Sequence, residues 1–384
     1  MVARTPEEFA KTGIDVELNS RVEGINPDRG IVRISNGTDL PYDILVMAGG
    51  AEAVRLGVPG EDLDGVFTLR NLSDALKIKS YLNGKFRKKA LIIGAGYIGL
   101  EMCEAFRSLG IETVIIARYP YPVPRFDAQF GKQMLDELNR NQVDLLSPVQ
   151  TLGIEKGNDL ALRLVTDQGN IETDLILIGT GIKQNTALAE SIGIKMGEFA
   201  IKVDFSQRTS REEVYAVGDC SEVFHRVIGK WNYFPLGDVA NKQGRTAGRN
   251  IGGVPATFPG VVGAQSFKLF GLEAAAAGLT EEEAARYGFQ PVSTIIREFP
   301  MARSMASGEK AGLKLVADKN TGKLLGAQSV AEKGAVMRIN CLSVALWSGM
   351  TLEEISGLDL AYSPYFSGSW DAIHIAAQIL MKNL

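Results

Sequence analysis

The chain has 384 residues, of which 45% are hydrophobic and 22% charged, and it carries a formal net charge of -4. That length suits two or three domains, each able to bury a core, and the mild acidity without a dense Lys/Arg run excludes a nucleic-acid-binding surface. The opening "MVARTPEEFAKTG" lacks the apolar stretch of a signal peptide and nothing later is long and apolar enough to span a bilayer, so the expectation is a cytoplasmic protein without a membrane partner.

In chain order, the polar stretch "IDVELNSRVEGINPDRGIVRISNG" predicts a hairpin and leads into "DILVMAGG" at 43 to 50, an Asp, an apolar strand and a glycine-rich end. Lys88 and Lys89 then precede the apolar run from Ala90, which breaks at Gly94, Gly96 and Gly99. This G-x-G-x-x-G spacing lies between a strand and a helix that carries Leu100, Cys103, Phe106 and Leu109 on one face and stops at Gly110. In such a turn the first glycine bends the chain tightly and the second lets backbone approach a pyrophosphate. The third lets helix pack closely on strand, while free N–H groups at the helix start attract negative charge. A second strand, Thr113 to Ala117, completes a βαβ unit. The acid expected to grip the 2'-hydroxyl of NAD is replaced by Ala117, and Arg118 follows it. Arg118 reads either as a partner for a 2'-phosphate, which would admit NADPH beside NADH, or as an ordinary solvent-facing arginine.

A second polar hairpin pattern, "VDLLSPVQTLGIEKGNDLALRLVTDQGN", leads into "DLILIGTG" at 174 to 181, ending on Gly181. The two Asp-strand-Gly segments read as the rear halves of duplicated nucleotide-binding domains. Their separation of 131 residues maps Gly94 to a position ahead of Met1 in the first copy. The first copy is therefore expected to lack its phosphate-binding front half. Further on, "VYAVGD" closes a strand on Gly218 and Asp219, and "PLGDVANKQGRTAGRNI" reads as a polar helix. "LKLVADKNTGKLLGAQSV" predicts two strands about an Asn-Thr-Gly turn, followed by a helix with Val336, Ile339, Leu342 and Leu346 on one face.

Three cysteines, Cys103, Cys220 and Cys341, form no C-x-x-C and read as packing residues; with only two histidines, no metal site is expected.

Together "LIIGAGYIGLE", "LILIGTGIKQNTALAE", "IKVDFSQRTSREEVYAVGDCSE", "PLGDVANKQGRTAGRNI" and "YSPYFSGSWDAIHIAA" resemble the flavin-dependent pyridine nucleotide-disulfide oxidoreductases. Within them the likeness is to the branch of CoA-disulfide reductases and NADH oxidases. The resemblance implies an α/β fold with two Rossmann-like nucleotide-binding domains, the first incomplete, plus a C-terminal α+β dimerisation domain. Its segments would be 1–67 with 184–257 for FAD, 68–183 for NAD(P)H, and 258–384 for homodimerisation. Asp219, beside Gly218, would bond the FAD ribityl chain, and Leu236, Gly237, Asn241 and Lys242 would lie along the flavin ring. Glu101 would stand where nicotinamide meets flavin, and Gly181 is counted among the cofactor-binding positions. Tyr362 would face a partner subunit's redox cysteine, or serve simply as an interface aromatic.

The chain departs from the family in two places. The redox-cysteine segment beside the flavin is expected to be missing, and "RSMASGEK" replaces a Tyr-Tyr-Pro-Gly element linked to CoA substrates. Two readings result. One is a flavoenzyme passing hydride from NAD(P)H to FAD and on to a disulfide, oxygen or another small acceptor. The other is a non-catalytic remnant that binds nicotinamide nucleotide and dimerises.

Overall fold

The computed structural model describes residues 4–84, 88–302, 304–305 and 310–384. Most of "RSMASGEK" lies outside those residues. The chain divides into two compact units.

The larger unit comprises residues 52–183, 224–230 and 260–384. Residues 52–67 lie in this unit, and Val66–Thr68 is the edge strand of its parallel sheet. That sheet runs Val66–Thr68, Leu175–Ile178, Lys89–Ile93, Glu112–Ile116, Val143–Leu146, all parallel. Its middle strands read as unbroken apolar runs because helices and the three-stranded meander Thr151–Lys156, Leu162–Thr166, Gly169–Thr173 cover its faces. From Lys89–Ile93 the chain steps outward on one side and later returns to lay Leu175–Ile178 on the other. The strand order therefore reverses between these two neighbours, which is where doubly wound sheets open a ligand crevice at their carboxyl ends.

The same unit contains a five-stranded antiparallel sheet in the order Gln265–Leu269, Leu272–Gly278, Leu324–Ala331, Ala311–Asp318, Pro291–Glu298. The expected hairpin is present, with Gly322 at φ +67 in its turn. One face of the sheet packs on the helices Tyr97–Ser108 and Ala128–Arg140 of the parallel fold, the other on Ala335–Ser348 and Ala372–Met381. Along Leu272–Gly278 the period of two is drawn in alanine: Ala274 and Ala276 join the first core, Ala275 and Ala277 the second. In Ala335–Ser348, Ile339, Leu342 and Leu346 are buried as the pattern requires, whereas Val336 is only partly covered.

The smaller unit comprises residues 1–51, 184–223 and 231–259. It holds a meander, Val22–Asn26, Ile31–Ile34, Asp39–Pro41, followed by Leu45–Met47, which pairs in parallel with Val214–Ala216. Each unit thus repeats one sequence of events, an antiparallel meander and then a strand of a parallel sheet, at 43–50 and at 174–181. The copies differ in cover. Leu175–Ile178 is wholly buried, while Leu45–Met47 is half-exposed and pairs, among the described residues, with one strand only.

Candidate functional site

The turn after Lys89–Ile93 brings the three predicted glycines together, and each has a separate physical cause. Gly94 has φ +113, and a Cβ there would sit 2.3 Å from the Gly179 carbonyl oxygen. It permits the two strand ends on either side of the crevice to touch. At Gly99 a Cβ would fall 2.1 Å from the Gly94 carbonyl oxygen, so this glycine seats helix on strand. Gly96 differs: its backbone is extended and a Cβ would meet nothing within 4 Å. The open space lies in front of the helix Tyr97–Ser108, whose N-cap is Gly96 and offers no side-chain acceptor. The first N–H groups of this 12-residue helix thus have no side-chain cap and begin beside open space, an arrangement suited to a pyrophosphate.

The remaining nucleotide-site candidates surround this turn. Arg118 is exposed directly after buried Ala117, and no ion pair engages it among the described residues. Glu101 is exposed on the second turn of the glycine-loop helix. Gly181, at φ +122 and open, has its carbonyl fixed by the Val54 N–H at 3.0 Å.

In the smaller unit, Val214–Ala216 ends in a short 3-10 turn, Gly218–Cys220, with Gly218 at φ +73. Asp219 is half-buried in that turn, and its carbonyl accepts from the Tyr233 hydroxyl at 2.9 Å. Gln243 was not singled out by the sequence, yet it organises this turn. Fully buried, its Oε1 accepts from the Gly218 N–H at 2.8 Å and its Nε2 donates to the Glu222 carbonyl at 3.1 Å. The helix Gly237–Ile251 starts from Leu236 with no side-chain cap, and Gly237 is open where a Cβ would be. Asn241 and Lys242 lie exposed on its next turn, Lys242 paired with Asp238 at 2.8 Å. A positive-φ glycine, a carboxylate and an uncapped helix start fit a flavin: hydroxyl groups can donate to Asp219 and the electron-poor helix end can meet ring carbonyls.

Tyr362 is gathered into neither glycine turn. It stands exposed with Tyr365, Phe366 and Trp370 on the segment between the helices Leu352–Ser356 and Ala372–Met381. That segment is tied at both ends. The Leu358 carbonyl lies 2.9 Å from His374 Nε2, and Asp371 forms a buried pair with Arg338 at 2.7 Å.

None of the thiols is activated. Burial pushes Cys103 up to about 12 and raises Cys220 and Cys341, so all three stay protonated at neutral pH, as expected of packing residues. Among the described residues no cluster of His, Cys, Asp and Glu could hold a metal ion, and no helix is long and apolar enough to cross a membrane.

Comparison with known proteins finds likeness along nearly the whole chain. Residues 3–244 match the family model described as pyridine nucleotide-disulphide oxidoreductase, and residues 264–373 match the dimerisation domain of the same family. A curated relative, the NAD(P)H sulfur oxidoreductase (CoA-dependent) of Pyrococcus furiosus, is 37% identical over 381 residues, covering 98% of this chain and 85% of its own length. Among solved structures, a NAD-dependent persulfide reductase from A. fulgidus superposes with a TM-score of 0.94 at 35% identity, covering 100% of this chain and 72% of that one. An engineered water-forming NADPH oxidase bound to NADPH superposes with a TM-score of 0.93 at 27% identity, covering 99% and 86%. Its five substitutions include an adjacent pair, Asp to Ala and then Ala to Arg.

Proposed function

The chain belongs to the pyridine nucleotide-disulphide oxidoreductase family, and on that premise we propose that it is a flavin-dependent oxidoreductase that oxidises NADPH and NADH. One observation carries the reading: a glycine turn with open space at Gly96, in front of an uncapped helix, at the reversal point of a parallel sheet.

Gly94, Gly96 and Gly99 hold the pyrophosphate against the helix N–H groups, with Gly181 lining the facing strand end. Arg118 pairs with the 2'-phosphate of NADPH, which the absence of an acid at Ala117 leaves unrepelled. The same Ala-Arg order is among the changes carried by the engineered NADPH oxidase, which supports this assignment. Asp219 and Gly218, fixed by Gln243, hold the FAD ribityl chain, and Leu236, Gly237, Asn241 and Lys242 border its ring. Glu101 stands by the nicotinamide. Bound FAD would supply the hydride-accepting centre and pass electrons to a disulfide or persulfide of the CoA type, or to oxygen. The protein's part is to fix both coenzymes and exclude water.

Tyr362 belongs to the same reading as a phenol presented across a homodimer interface. The exposed stripe Met337, Val344 and Trp347 on Ala335–Ser348 supports that interface, as does the dimerisation-domain match. Three free, protonated thiols suit a reducing, cytoplasmic setting.

The test is the visible spectrum of the purified chain, taken anaerobically before and after NADPH or NADH. Flavin bands that bleach are expected. A colourless protein that still binds the nucleotide would leave only a nucleotide-binding role. Turnover with CoA disulfide, polysulfide or oxygen then identifies the acceptor.

A further inference from the structure

The segment 117–127 links the proposed 2'-phosphate contact to the glycine turn, and its far end is fixed by the antiparallel sheet of the same unit. Arg118 stands near its start. In its middle the Val123 N–H donates to the carbonyl of Ala95, inside the glycine turn, at 3.0 Å. Val123 is a β-branched residue at φ +45, a left-handed conformation that persists only where the surroundings impose it. A few residues further on, the same segment is held by the antiparallel sheet. Gln328, 5% exposed, grips the chain twice: its Oε1 accepts from the Asp127 N–H at 2.8 Å and its Nε2 donates to the Arg125 carbonyl at 3.0 Å. Lys314, also 5% exposed, donates to Asp127 Oδ2 at 2.8 Å and to Glu281. Arg125 itself donates to the Gly278 carbonyl at 2.7 Å and pairs with Glu283 at 3.4 Å. It is therefore directed away from a nucleotide role, and Arg118 is left as the arginine of this segment with no ion pair among the described residues.

We infer that Gln328 and Lys314, on strands of the C-terminal sheet, are positioning residues for the pyridine nucleotide: by clamping Arg125 and Asp127 they set where Arg118 and the Ala95 turn stand, and so set the discrimination between NADPH and NADH. The inference rests on the nucleotide site proposed above. Two buried polar side chains spanning some 200 residues of sequence are costly to place inside a sheet unless fully engaged, and their partners all lie on this segment or beside it. Releasing the clamp frees a segment whose strained residue gains by relaxing. The 2'-phosphate contact suffers most, because a single exposed arginine depends on where its backbone is held.

The experiment measures dissociation constants of NADPH and NADH by nicotinamide fluorescence, anaerobically and with any bound flavin reduced beforehand by dithionite, so that no hydride is transferred and the readout needs no turnover. Gln328→Leu is expected to weaken NADPH about tenfold and NADH about threefold, on the scale of two lost hydrogen bonds. In that background Arg118→Ala should cost NADPH only about threefold more, against about tenfold in the parent, because the two act through one contact. Asp127→Asn keeps an acceptor for the Gln129 N–H, and thus the helix cap, but removes the carboxylate paired with Lys314; it should shift the NADPH/NADH ratio in the same direction. Should Gln328→Leu fail to fold, Asp127→Asn decides alone. A fall in melting temperature with an unchanged NADPH/NADH ratio would mean that the clamp is only structural and would overturn the inference. Gly96→Val separates the two levels: if it binds NADPH as tightly as the parent, the nucleotide site itself is wrongly placed and the inference falls with it. If Gly96→Val loses binding while the clamp variants keep the parent ratio, the inference fails and the site stands.

Discussion

At the residue scale, Gly96 separates ligand requirement from folding requirement. Its backbone is extended and its surroundings are empty, so Gly96→Val should leave the melting temperature within about 2 °C of the parent while nucleotide affinity falls by at least about 100-fold, because the methyl groups would occupy the proposed pyrophosphate position. Calorimetric titration beside a thermal melt checks both halves. Arg118→Ala should weaken NADPH about tenfold and NADH hardly at all; equal losses would remove the 2'-phosphate assignment. His225 makes a different kind of prediction. Burial, with the Arg125 charge second, pushes it down from 6.5 to about 4. The native state therefore refuses a proton that the unfolded chain takes up below 6.5. The stabilisation is complete above 6.5 and is lost as the pH falls towards 4, a total of roughly 3 kcal/mol. Thermal melts across that interval should show the loss, and His225→Gln should flatten it; parallel profiles for the two proteins would refute the shift.

At the element scale, the glycine turn works because strand, turn and helix are cut to fit. A methyl at Gly94 would collide with a backbone carbonyl and demand φ +113 of an L residue. Gly94→Ala should accordingly cost more than about 2 kcal/mol in denaturant unfolding, in contrast to the tolerated change at Gly96. These elements were legible in the sequence for a simple reason: a buried parallel strand reads as an unbroken apolar run, and a turn with positive φ demands glycine. The duplicated meander-and-strand pattern was legible likewise, since hairpins and Asp-led strands repeat locally. Gln243, Gln328 and Lys314 were not. Gln243 sits in a helix whose polar run gives no hint that one residue turns inward to hold Gly218. Lys314 lies in Ala311–Asp318, where every residue is buried, but a lysine in a strand reads as its solvent side. Its burial follows from Asp127 and Glu281, which only the fold brings within reach. Arg118 was legible as a candidate because it stands at the end of a strand, whereas Tyr362 was reached only through the family resemblance.

At the scale of the whole molecule, the stripe formed by Met337, Val344 and Trp347 is the surface on which self-association should depend. Val344 is 65% exposed, so Val344→Glu can leave the fold intact while placing charge on that face. Light scattering after gel filtration should report a dimer for the parent and a monomer for the variant; a dimer in both would move the interface elsewhere. The sheet beneath that helix has a further consequence. Its strand of alternating alanines carries on both sides a side chain without rotamers, so neither layer can absorb a displacement by swivelling there. A bulkier side chain on either face of this strand would therefore have to displace the helix layer it meets.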